Sequence, residues 1–144
     1  MRRWTFTAAF MGACAILGCG SSGLAPVKGQ FVTPDGKPAT ALEKCSVVFE
    51  GKAADGTATG STGEIDAEGR FELTTLQPGD GAPIGTHKVS IAAYWPGAAE
   101  SPKPLPVLDK YSNPETSGLT ADVKPGANDI KLTIELKPTR GKTP

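Results

Sequence analysis

The chain has 144 residues, enough for one ordinary domain, and its 15 basic and 15 acidic residues balance. Without the first 18 residues, whose only charges are Arg2 and Arg3, 13 basic would face 15 acidic, a net of −2. That argues against nucleic acid and anionic surfaces as partners, since both reward a clustered basic excess.

Residues 1–18, "MRRWTFTAAFMGACAILG", place two arginines before a mostly apolar run from Trp4 to Leu17. This is the pattern of a secretory signal peptide. It is short for a membrane span, which needs roughly 17–25 apolar residues. The run ends in Ile16-Leu17-Gly18-Cys19, which resembles the bacterial lipobox: aliphatic at −3, small at −1, cysteine at +1. The resemblance implies cleavage between Gly18 and Cys19. The Cys19 thiol would take a diacylglyceryl group as a thioether, and its new amino group a further acyl chain such as palmitate. One acyl chain holds a protein only marginally, at about 0.8 kcal/mol per buried CH₂, whereas two or three on one residue hold it durably. Two alternatives remain open: cleavage before Cys14, and ordinary secretion with a cut past Gly20. Of the cysteines Cys14, Cys19 and Cys45, the favoured cut leaves Cys45 as the only unmodified thiol, so the domain folds without an intrachain disulfide. Residues 19–25 read as the modified cysteine and a flexible tether, "GSSGLA".

From residue 26 to 137, short runs of period-2 alternation recur between turn signals. "VKGQFV" (27–32) ends at Pro34-Asp35-Gly36, and "CSVVFEG" (45–51) follows with Val47 and Phe49 on one face. "GKAADGTATGSTG" (51–63) reads as a small, polar, mobile loop, and "EIDAEGRFEL" (64–73) as a hairpin. "QPGDGAPIG" (77–85) is a turn cluster before the clearest strand, "THKVSIAAYW" (86–95). A proline-dense excursion (96–118) leads to "LTADVKPGANDIKLTIEL" (119–136), two alternating strands about Pro125-Gly126-Ala127-Asn128, and then to a disordered tail, 138–144. The abundance of glycine (18) and proline (13) fits this succession, and no helix of useful length is found. The expected fold is an all-β, seven-stranded sandwich. Its core is Val47, Phe49, Phe71, Leu73, Val89, Ile91, Leu119, Val123, Ile130, Leu132 and Ile134.

Five segments carry a resemblance to a known family: "VKGQFVTPDGKP" (27–38), "TGEIDAEGRFEL" (62–73), "GAPIGTHKVSI" (81–91), "LPVLDKYSNPETSGLTADV" (105–123) and "NDIKLTIEL" (128–136). In order and spacing the chain resembles small lipoproteins, numerous in planctomycete-type bacteria, with a carboxypeptidase regulatory-like domain. The resemblance implies a transthyretin-like (prealbumin-like) sandwich in the cell envelope, without peptidase, zinc site or other cofactor. Its expected partners are the membrane, through the lipid anchor, and an envelope protein or polysaccharide.

Catalysis finds little material. His87 is the only histidine, and it reads as a solvent-facing strand residue without triad partners. Cys45 reads as a small buried strand residue. One histidine and one thiol cannot furnish tetrahedral zinc ligation. Glu64, Asp66 and Glu68 before Gly69 mimic the start of an EF-hand loop, but Thr75 stands where a bidentate glutamate is required. Binding is the better option. Tyr94 and Trp95, at the end of the longest strand, and Tyr111 are the candidate ligand contacts, with loop 95–118 as a carbohydrate- or peptide-recognition surface. The alternative is that Tyr94 and Trp95 anchor that loop to the sandwich, and Tyr111 reads as laying its ring against the sandwich with its hydroxyl bonded to backbone.

Overall fold

The computed structural model describes residues 23–93 and 104–138. Among them every regular element is a β-strand except two 3-10 turns, Thr40–Leu42 and Asp109–Ser112, so the fold is all-β. Nine strands are present among the described residues, where seven were expected. They are β1 (Leu24–Ala25), β2 (Val27–Val32), β3 (Ser46–Lys52), β4 (Ala58–Glu64), β5 (Arg70–Glu72), β6 (Ala82–Pro83), β7 (Gly85–Ala92), β8 (Leu119–Val123) and β9 (Asn128–Thr133). They form a four-stranded sheet in the order β4-β3-β7-β8, a three-stranded sheet β5-β2-β9, and a two-residue ribbon β1-β6.

The expected core lies inside. Val47, Phe49, Phe71, Leu73, Val89, Ile91, Val123, Leu132 and Ile134 are buried, and Leu119 and Ile130 pack half-buried against them. Phe31, Leu42, Ile65 and Val107 join that core although the sequence reading omitted them. The Phe31 and Phe71 rings lie 5.3 Å apart, and Phe49 of the larger sheet meets Phe71 of the smaller at 5.8 Å. Each such ring contributes about 1.5–3 kcal/mol by leaving water.

Three local expectations are corrected. Residues 58–64 are not a mobile loop but strand β4, paired along its whole length with β3. Its inward positions are small because Glu72 comes close: a Cβ on Gly63 would stand 2.5 Å from the Glu72 carbonyl oxygen. Small polar residues therefore mimic a loop in sequence while serving a tight inter-sheet approach. Residues 64–73 are not a simple hairpin. The turn Asp66–Arg70 carries the chain from β4 in one sheet to β5 in the other, and the bridge from Thr62 of β4 reaches Thr74, past the end of β5. Likewise β8 and β9 lie in different sheets, and β9 runs parallel to β2. Asn128 makes that crossover: its side-chain amide donates to the carbonyls of Lys124 (2.8 Å), Gly126 (3.0 Å) and Pro26 (3.2 Å).

The first strand, β1, stands before residue 26. Leu24 pairs with Pro83 and Ala25 with Ala82, and Ala25 is buried. Gly81 (φ +88°) makes this possible, since a Cβ there would lie 1.8 Å from the Ala25 carbonyl oxygen. Strand directions then sort the connections onto two poles. Residues 23–26, 53–57, 73–84 and 124–127 gather where β2, β7 and β9 begin. Residues 33–45, 65–69 and 134–138 gather where those strands end, at the pole where β8 begins.

Candidate functional site

Inward positions of the larger sheet form cross-strand rows. Ser61, Phe49, Val89 and Leu119 make one; Thr59, Gly51, His87 and Ala121 make the next. His87 is therefore not solvent-facing: it is 1% exposed, and its ring centroid lies 6.0 Å from that of Phe49. Its parity with Val89 and Ile91 requires this, a signal present in "THKVSI". The Nε2–H donates to the Pro83 carbonyl at 2.7 Å, which leaves Nδ1 as an acceptor, and Nδ1 has no hydrogen-bond partner among the described residues. Gly51 supplies the room, since a Cβ there would stand 2.4 Å from Nδ1.

Cys45 is buried immediately before β3. It stands six positions along the sheet from the level of His87, about 20 Å at 3.3 Å per residue. The two cannot form a thiolate–imidazole pair. Asp66 Oδ1 accepts the backbone N–H groups of Glu68 (2.9 Å) and Arg70 (2.8 Å), so the acidic residue of the EF-hand-like run closes its own turn. Among the described residues no three His, Cys, Asp or Glu side chains are grouped so as to hold a metal ion.

Tyr111 is 4% exposed, and its hydroxyl accepts the Glu135 N–H at 3.2 Å. The ring lies against the core, as "KYSN" suggests, and offers a ligand almost no surface. Salt bridges from Lys110 to Glu135 (3.3 Å) and from Lys137 to Asp109 (2.6 Å) fasten the same turn to the segment after β9. Tyr94, Trp95, Gly18 and Cys19 lie outside the described residues, as do the signal peptide and all of the tail beyond Pro138.

The described residues also form two open hollows on the sheets' outer faces. One, of about 750 Å³, lies over the larger sheet. Val48, Glu50 and Lys52 of β3, Ala58 and Gly60 of β4, and Thr86 and Lys88 of β7 surround it, with Glu115 at its rim. Lys88 is bonded to Glu115 at 2.6 Å. The other, of about 560 Å³, lies over the smaller sheet among Lys28, Gln30, Arg70, Asp129 and Lys131. The first has no aromatic plate on which a sugar ring would stack, and in the second three cations, Lys28, Arg70 and Lys131, stand with one carboxylate, Asp129, and one amide, Gln30. Neither arrangement carries catalytic geometry.

No family model matches this chain, and no curated protein matches it. Among solved structures it is similar to a 9R-lipoxygenase from Cyanothece, at 15% identity and a TM-score of 0.44, over 84% of this chain and 18% of that one. The chain thus spans less than a fifth of that enzyme's length, and a likeness of this grade says nothing about activity.

Proposed function

We propose that this chain is a non-enzymatic lipoprotein of the bacterial cell envelope, held to a membrane through Cys19, that presents a transthyretin-like β-sandwich to an envelope protein or polysaccharide. The observation that carries it is Ile16-Leu17-Gly18-Cys19, closing an apolar run that follows Arg2-Arg3 and standing four residues before the described domain begins at Gly23. Acylation there suits a domain whose first strand starts so soon after the cysteine.

The sandwich reading is supported by the four- and three-stranded sheets, whose seven strands share one core through Phe49 and Phe71. The non-enzymatic reading is supported by where the two most reactive side chains lie. His87 is buried with its N–H on Pro83, and Cys45 is buried far along the sheet from it.

Growth of expressing cells with an alkyne analogue of palmitate tests the proposal. The wild-type chain takes up the label and Cys19→Ala does not. Absence of label from both would overturn it.

A further inference from the structure

We infer that the pole formed by β1, β6 and the 74–81 loop lies against the lipid bilayer, with Leu76 entering the interface. This rests on anchoring through Cys19. Between Cys19 and Gly23 the chain can extend at most ~14 Å. A headgroup layer is roughly 5–8 Å thick. Little slack remains, so the N-terminal pole is kept close to the membrane whichever way the domain leans. The tether read from the sequence as the six residues Gly20 to Ala25 gives its last two to β1, so only Gly20 to Gly23 stand between the cysteine and the first strand.

What stands on that pole fits a lipid surface. Leu76 is 80% exposed, and Ile84 is 40% exposed beside the β1-β6 ribbon, its N–H donating to the Gly23 carbonyl at 3.0 Å. The third large apolar residue in the open among those described, Leu136, is at the far pole and is 36% exposed. Leu76 is held outward by a built loop. The Asp80 carboxylate accepts the N–H groups of Thr75 (2.7 Å), Leu76 (2.9 Å) and Gln77 (2.9 Å). Thr75 in turn donates its hydroxyl to the Gly81 carbonyl at 2.7 Å and meets the buried Ser61 hydroxyl at 2.6 Å. A leucine fixed in water by this many bonds is poised to enter an apolar phase without the ordering cost a loose loop would bear. The same geometry directs the opposite pole, where β7 ends and β8 begins, away from the membrane, toward partners.

The test uses the mature lipoprotein in phosphatidylethanolamine–phosphatidylglycerol vesicles, with bimane on Gln77→Cys or, at the far pole, on Ala41→Cys. Both positions are exposed, whereas Cys45 is buried. Flotation with the vesicles reads the anchor, and quenching by brominated acyl chains reads contact. The expected result is flotation of both proteins, loss of at least about half the emission at position 77, and little change at 41. Adding Leu76→Asp should reduce the quenching at 77 several-fold while flotation persists. Flotation with equal quenching at both positions, or quenching at 77 that ignores Leu76→Asp, overturns the inference and leaves the anchor standing. Failure to float removes the anchor, and the inference with it.

Discussion

His87 and Gly51 are a matched pair: the imidazole of one occupies the space left by the missing side chain of the other. Gly51→Ala should cost about 1–3 kcal/mol, because its Cβ would stand 2.4 Å from Nδ1 and the buried ring has nowhere to retreat. His87→Ala should cost about 2–4 kcal/mol, through lost packing and an unpaired Pro83 carbonyl. In the His87→Ala background the Gly51→Ala penalty should largely vanish. Urea unfolding of the four proteins checks this, and strictly additive losses would show that the two residues do not share the space.

Asp80 gives the loop around Leu76 a defined response to acid. Burial pushes its carboxyl upward, but the backbone N–H groups of Thr75, Gln77 and Leu76 outweigh it and hold the group below its ordinary value of 3.8. A carboxyl lowered on folding adds stability that is complete above the unfolded value and lost as pH falls through the folded one. The wild type should therefore lose more stability than Asp80→Asn between about pH 4 and pH 2, although the variant starts lower at neutral pH. Unfolding midpoints measured across that range check it. Parallel curves would contradict the assigned role.

Tyr111 is a packing residue, so its two substitutions should separate sharply. Tyr111→Phe loses one hydrogen bond to an exposed segment and should cost about 0.5–1 kcal/mol. Tyr111→Ala should cost about 3–5 kcal/mol through the cavity it opens. Thermal unfolding reads both. Near-equal, small losses would mean that the ring is not part of the core.

Gly81 ties the start of the domain to β6. Gly81→Ala places a Cβ against the Ala25 carbonyl at a positive φ and should cost about 2 kcal/mol or more. Amide exchange should show the loss concentrated in Leu24, Ala25 and Ala82. Uniform loosening of both larger sheets would argue that β1 is not a separate clasp.

These positions also show how far the sequence could be read. Alternation revealed β3 and β7 because each places apolar side chains on one face over several residues, as Val47 with Phe49 and Val89 with Ile91. The same alternation places His87 inside, and setting it in solvent gave residue type more weight than parity. Strand β4 was hidden because its inward residues, Thr59, Ser61 and Gly63, are small where the sheets approach closely, and small polar residues look like loop. Sheet membership was not legible at all. The turns after β4 and after β8 have hairpin composition, yet both cross between sheets, and only long-range pairing such as β2 with β9 decides that. Tyr111 was placed correctly against the core, which removes it from the list of ligand contacts that its aromatic ring had suggested. The likeness of Ile16-Leu17-Gly18-Cys19 to a lipobox was the plainest feature, because the chemistry proposed for it depends on adjacent residues and on no fold.

Intact mass of the protein extracted from membranes tests the central proposal most directly. A mature chain beginning at Cys19, heavier than its sequence by a diacylglyceryl group or by that group and one further acyl chain, is the predicted result. A water-soluble chain whose mass matches its unmodified sequence would contradict it.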